Sequence, residues 1–381
     1  MGNSAIRTLI EVVSACLNGT DIPDCKDWEQ TFELSKKHSL GSMFYLAVKD
    51  KIDLPYDFLE IVKKHFSAQT AQQVMQEYYE SKLFDDLRAQ KIKFMPLKGH
   101  YIKKLYPLPE MRTSCDIDIF YDKTRKADVD VIMKNNGFHL HALEQNNDHW
   151  QKDIISVEMH FALALNRSCY KEYYKDVWER AVKDGEFSYR FNNEDLYIYN
   201  IIHSAKHFVG GGFGIRTVLD IFLMKEKLNL NSKYIDKELE KLKLDKFEKV
   251  IVEIASAWFK GGKVNENLSS VESYILLNTT YGVKENGVVM RNVDKGYSTK
   301  KAKRAFWFKS LFPPFRAMKQ RYPLVGKIPI LLPFAWVLRW IQAVFTGGKN
   351  VKILYGDSKK INDGNIKKAA EILEITGLKS D

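Results

Sequence analysis

The chain has 381 residues, 45% of them hydrophobic and 28% charged, and a net charge of +11. That balance excludes a disordered chain, and the length points to two or three domains, or to one central domain with helical additions. Cys16, Cys25, Cys115 and Cys169 form no Cys-x-x-Cys pair, which excludes a disulfide framework and a zinc signature and fits reduced, buried thiols in the cytoplasm.

The first 90 residues read as helical. Met1–Leu17 has Arg7 and Glu11 inside its apolar pattern, so it reads as an amphipathic helix and not as a signal peptide. Asp21, Pro23 and Asp24 mark a turn before a second helix through Trp28, Phe32 and Leu34. Val74, Tyr78, Leu83 and Leu87 recur at helical spacing, which predicts an apolar face there.

The texture changes at Lys91. Ile92–Leu97 is a short apolar run of strand length, Gly99 permits a tight turn, and His100–Tyr106 predicts a short helix. In the strand Cys115–Tyr121, Cys115, Ile117, Ile119 and Tyr121 point one way and Asp116, Asp118 and Phe120 the other. Lys123–Asn135 predicts a helix with Val129, Ile132 and Met133 inward, ended at Gly137. Two further strands are predicted, around Phe138–Leu143 and Ile154–His160.

Helices are predicted again at Tyr170–Val182, Asn193–Phe208, Ile215–Leu228 and Ile235–Ala257. Gly210-Gly211-Gly212 lacks the order of a phosphate loop and reads as a flexible connection. The organisation expected is four-part: residues 1–90, a core at 91–165, a helical domain at 166–290, and a basic, aromatic-rich helical region at 291–381. The fold class is α+β, a central mixed sheet flanked by large N- and C-terminal helical regions.

The net charge is unevenly spread. Lys295–Lys352 carries 13 Lys or Arg and no Asp or Glu, which leaves the remainder at −2. These cations interleave with Phe306, Trp307, Phe308, Phe312, Phe315, Trp336 and Trp340. Three readings stay open: an anionic membrane surface, nucleic acid (the least favoured), or a helical cap whose aromatics are core. The uncharged stretch Ile328–Leu338 is far shorter than the ~20 residues of a spanning helix, and none is predicted.

The chemistry centres on Asp116 and Asp118. Two acids two apart on a strand face one side, roughly 6–7 Å apart along it, and can share the divalent ions of two-metal phosphoryl transfer. Hard oxygen ligands select Mg²⁺ or Mn²⁺. Lys98 and Arg112 add cations, and Gly99 lets backbone approach a phosphate, with helix amides pointing at it. Glu158 sits in the apolar strand Ile154–His160 on the face of Ser156 and His160, and a lone acid there is costly without a cation or water. His160 is placed to orient that acid or to contact an acceptor; the plainer alternative is a half-buried histidine on a backbone carbonyl. His203 and His207 lack a third zinc ligand and read as packing or as hydrogen bonding to Asp220. Lys206 and Arg216 are candidates for triphosphate contact.

Lys98-Gly99, then Arg112 shortly before Asp116-Ile117-Asp118-Ile119, then Val157-Glu158-Met159-His160, resembles the uncharacterised bacterial nucleotidyltransferase family of the polymerase-beta-like superfamily. The resemblance extends to His203 and His207, to Arg216, Leu219 and Asp220, and to Leu331-Leu332-Pro333 with Trp336, over about residues 35–345. It implies an enzyme in which Asp116, Asp118 and Glu158 hold Mg²⁺ and Lys98 and Gly99 form the phosphate-contacting turn. It also implies in-line attack of an acceptor oxygen on the α-phosphate of a nucleoside triphosphate (NTP). The superfamily's usual second glycine or serine is replaced by His100, and 17 positions separate Gly99 from Asp116. The acceptor is open, with cell-surface saccharide assembly one expectation. So is the class: phospholigand transfer to a glycan and a non-catalytic scaffold are the alternatives. A cytoplasmic protein is expected, with peripheral attachment to the inner membrane face open along with the three readings of the basic segment.

Overall fold

The computed structural model describes residues 2–51, 54–163, 167–280, 282–345 and 349–379. The expected domain boundary at 165–166 falls outside the described residues. By its contacts the chain forms two units, residues 1–206 with 213–280, and residues 207–212 with 281–381.

The first unit opens with α1 (Gly2–Asn18), α2 (Trp28–Lys37), α3 (Gly41–Val48) and α4 (Tyr56–Ala89). The Asp27 carboxylate caps α2 by accepting from the Gln30 amide at 2.8 Å. β1 (Phe94–Pro96) and the single turn α5 (Gly99–Ile102) lead to β2 (Asp116–Tyr121), then α6 (Lys126–Asn135), β3 (His139–Leu143), β4 (Asn147–Lys152) and β5 (Ile155–His160). These strands form one mixed sheet in the order β1-β2-β5-β4-β3, parallel only between β2 and β5. It is the central mixed sheet expected, with helices before and after it in the chain.

Strand alternation divides the sheet. Ile117, Ile119 and Tyr121 of β2 and Ile155, Val157 and Met159 of β5 join Trp150 in a core. Leu83 and Leu87 of α4 and Val129, Ile132 and Met133 of α6 cover it. Each such side chain stabilises the fold by about 1.5–3 kcal/mol. The opposite face keeps Asp116, Asp118, Glu158 and His160.

After the sheet come α7 (Ser168–Tyr173) and a hairpin, β6 (Ala181–Lys183) with β7 (Tyr189–Phe191). Then follow α8 (Asn193–Gly210), α9 (Ile215–Lys227), α10 (Ser232–Lys241), α11 (Asp245–Phe259) and α12 (Ser269–Leu277). The second unit continues with α13 (Lys284–Asp294), α14 (Thr299–Leu311), α15 (Phe315–Arg321), α16 (Pro323–Lys327), α17 (Leu332–Phe345), α18 (Lys349–Lys360) and α19 (Asp363–Ile375).

Four expectations need correction. Val74 and Tyr78 are each 58% exposed; Gln73 and Gln76 take the buried face because their amides meet the Pro109 and Ser114 carbonyls. The helix expected at Tyr170–Val182 ends at Tyr173, since the Asp184-Gly185 turn lets 181–183 pair as a strand. The helix expected at Ile235–Ala257 breaks at Lys243, with φ of 54°. Leu242 and Leu244 lie nearly opposite on a helix, and the break buries both. β4 was not foreseen, because its alternation sets Trp150 against mostly polar neighbours.

Candidate active site

β2 and β5 run parallel with Asp118 opposite Glu158 and Asp116 opposite Ser156. Opposed residues share a face, so Asp116, Asp118 and Glu158 stand together away from the apolar core. Within this set, Asp118, Glu158 and His160 are the tightest: one ligand atom from each lies within 4.8 Å of the others. Asp116 stands one pleat along, its side chain near the Ser114 hydroxyl, which donates to the Asp116 carbonyl at 3.0 Å.

A lysine and a histidine meet these acids. The Lys98 Nζ lies 3.5 Å from Asp118 Oδ2 and donates to His203 Nε2 at 3.1 Å. His160 Nε2 is 2.8 Å from Asp118 Oδ1 and 3.3 Å from Glu158 Oε2. Burial pushes Asp116 up to about 6, with the Asp118 charge adding to it. Burial works against ionised Asp118 too, but Lys98 and then His160 hold its carboxyl well below the usual range. Burial also opposes a charged His160, yet hydrogen bonds to Asp118 and Glu158 raise it. The imidazole thus orients both acids, one of the two roles foreseen for it.

Glu158 has partners that sequence reasoning missed. Asn147 Nδ2 donates to its Oε2 at 2.9 Å, and His149 Nδ1 is 3.4 Å from its Oε1. Both come from β4. The alternation of Asn147, His149 and Gln151 was the available signal.

Lys98 reaches the acids from a tight turn with φ of 22°, a conformation that costs a non-glycine residue about 1–3 kcal/mol and clusters at functional sites. The following amides are already used: His100 N–H donates to the Leu97 carbonyl, and Tyr101 N–H to that of Lys98. The turn presents the lysine ammonium to the acids, and two of the amides that follow it are already taken. A Cβ at Gly99 would meet Arg112 Nη1 at 3.4 Å and the Ser114 hydroxyl at 3.5 Å.

Arg112 is buried and donates to Asp220 from Nε at 2.8 Å and Nη2 at 2.9 Å; Tyr106 donates to the same carboxylate at 2.7 Å. The partner foreseen for Asp220 was a histidine; the arginine and tyrosine take that place. Arg216 Nη1 donates to the Thr113 carbonyl at 2.7 Å, and its Nε is buried without a hydrogen bond. Both arginines tie α9 to the loop that enters β2. The Lys206 side chain reaches solvent, yet desolvation by surrounding protein and then the Lys98 charge lower its pKa.

A mixed sheet with an acidic β2–β5 face defines the class as a nucleotidyltransferase, an enzyme moving phosphorus-containing groups. Within that class, the chain belongs to the uncharacterised nucleotidyltransferase family, whose model matches residues 24–260. That span holds the acids, Lys98, Arg112 and Arg216. It excludes Leu331–Trp336, which the resemblance had been expected to include. No curated protein matches the chain. A solved structure of the antibiotic-resistance factor ANT(2'')-Ia is similar at 11% identity over 54% of this chain and 97% of that one. Its TM-score of 0.26 is too low for the likeness to carry functional weight.

Proposed function

We propose that the face built by Asp116, Asp118 and Glu158 transfers a nucleotidyl group from an NTP to an acceptor hydroxyl, the bond between the α- and β-phosphates breaking to release pyrophosphate, with Mg²⁺ or Mn²⁺ held by these three acids. The observation that carries this reading is Asp118 and Glu158 opposed on parallel strands, with Asp116 on the same face. The donor set suits such an ion: three hard carboxylates, one of them with its pKa pushed up to about 6 by burial and a neighbouring charge. When bound, the ion supplies Lewis acidity and charge neutralisation at the phosphates.

The chain's own groups account for the rest. Lys98 and Lys206 supply positive charge for the triphosphate. Gly99 keeps the turn beside Arg112 and Ser114 open. Arg112 and Arg216 hold the loop before β2 in register, and Arg216 also offsets the Asp116 charge. Glu158 accepts the acceptor proton or holds the ion, oriented by His160 and Asn147. A cleft beside Asp116 and Asp118 is lined by Gln73, Gln76, Glu77, Glu80 and His100. Amides and carboxylates of that kind suit the hydroxyls of a saccharide, so an acceptor in cell-surface saccharide assembly accords with it. A cytoplasmic location fits the reduced thiols.

The test is mass spectrometry of products formed with Mg²⁺, each NTP and a cell extract. The product should gain the mass of a nucleoside monophosphate, and Asp118→Asn or Glu158→Gln should lower its yield by at least about a hundredfold. Gain of a phospholigand mass would instead favour phospholigand transfer to a glycan. Absence of any Mg²⁺-dependent NTP binding by titration calorimetry would leave a scaffold.

A further inference from the structure

The second unit carries an apolar face with nothing described against it. α17 turns Ala335 and Trp336 inward, onto Met318 and Val325. Its Trp336 and Trp340 indoles donate to the Pro313 and Leu311 carbonyls at 2.9 and 2.8 Å, which docks the helix on the end of α14. The other side of α17 is also apolar. Phe334, Val337, Leu338, Ile341 and Phe345 recur at one-face helical spacing and are 46–84% exposed. Leu324, Ile328 and Ile330, just before the helix, are exposed as well. Apolar surface scattered singly needs no account; a contiguous stripe marks an interaction site.

The charge around the stripe selects the occupant. Arg316, Lys319, Arg321 and Lys327 are exposed in the chain just before it, within the segment that has 13 cations and no acid, and Arg321 Nη2 donates to Gln342 of α17 at 3.4 Å. A second copy of the chain would set like charge against like charge. Nucleic acid would stack on a series of aromatic faces, but the exposed stripe is mostly aliphatic, with only Phe334 and Phe345 aromatic, and Trp336 and Trp340 are half-buried with their indole nitrogens engaged. The helix has 14 residues, about 21 Å at 1.5 Å per residue, too short to cross a ~30 Å hydrocarbon layer.

We propose that α17 and residues 324–330 form a membrane-docking surface for an anionic lipid bilayer. The helix lies in the interface plane, Phe334, Ile341 and Phe345 enter the acyl boundary, and the flanking Lys and Arg side chains meet lipid phosphates. This surface is independent of the nucleotidyl-transfer reading, since none of its residues belongs to the acidic face.

The experiment is co-sedimentation of the full-length protein with phosphatidylcholine vesicles, with and without about one-third phosphatidylglycerol, at about 0.1 and 0.5 M salt. Partition should require the anionic lipid and weaken at least about tenfold at the higher salt. The variant Phe334→Ser/Ile341→Ser/Phe345→Ser should weaken it about tenfold or more at unchanged melting temperature, because these side chains are exposed. Wild-type protein remaining in the supernatant would overturn the proposal. So would undiminished partition of the triple variant, equal binding to neutral vesicles, or a stable dimer in light scattering that the triple variant dissolves.

Discussion

Asp116 brings a carboxyl into a place that Asp118 and Glu158 already make negative. Its folded pKa rises from 3.8 to about 6, so between those values the folded chain binds the extra proton. The sign follows: this group favours folding at low pH, and that contribution is lost as pH rises through about 6. Above it, the ionised group costs the metal-free protein on the order of 1–3 kcal/mol, the lower end where solvent reaches the carboxylate. Asp116→Asn should therefore raise the melting temperature of EDTA-treated protein by several degrees at pH 8, while product formation is lost. Calorimetry at pH 8 and pH 4 tests it: the gain should shrink toward pH 4, and a destabilised variant at pH 8 would show that the acids do not repel one another as described. The acids themselves were legible in the sequence because isoleucines alternate with Asp116 and Asp118, so the pleat had to turn them to one side. Asn147 and His149 were not, because nothing apolar except Trp150 announces β4, and that strand is set by pairing with β5.

Among the helices, α9 supports the site through the loop before β2, which Arg216 and Asp220 both grip. Its N-terminus is fixed by His38, at the end of α2, whose Nδ1 accepts from the Ile215 amide at 3.1 Å. Gly214 makes that approach possible: a Cβ there would lie 2.4 Å from His38 Nδ1. Burial, and then the Lys37 charge, push His38 down from 6.5 to about 4. The unfolded chain thus binds the proton first, so this contribution is complete above about 6.5 and is lost as pH falls toward about 4. Over that window it amounts to about 3 kcal/mol. A melting series from pH 7.5 to 4.5 should show this loss, and His38→Asn, which keeps an acceptor but has no titrating ring, should flatten it. An unchanged slope in the variant would assign the acid sensitivity elsewhere. The long helices were readable from periodicity, as α8 and α9 show. Their breaks were not, since no glycine or proline marks Lys243 and the turn answers to the burial of Leu242 and Leu244.

For the molecule as a whole, charge and family coverage both set the C-terminal part of the chain apart. The family match ends at residue 260, and the cation excess begins at Lys295, leaving −2 for everything outside Lys295–Lys352. Among the described residues no helix is long and apolar enough to cross a membrane. The cation count was legible from the sequence; the outward stripe of α17 was not, because both faces of that helix are apolar and only packing on Met318 and Val325 decides which one is buried. If the acidic face does chemistry and the stripe finds lipid, the two properties should separate cleanly by mutation. Asp118→Asn should lose nucleotidyl transfer yet pellet with anionic vesicles as wild type does. Phe334→Ser/Ile341→Ser/Phe345→Ser should stay in the supernatant yet keep Mg²⁺-dependent NTP affinity within about twofold, since none of the three residues belongs to the acidic face. Vesicle partition and calorimetric titration on the same two preparations decide it. Loss of nucleotide affinity in the triple variant would mean that the stripe serves the acidic face and not a lipid surface.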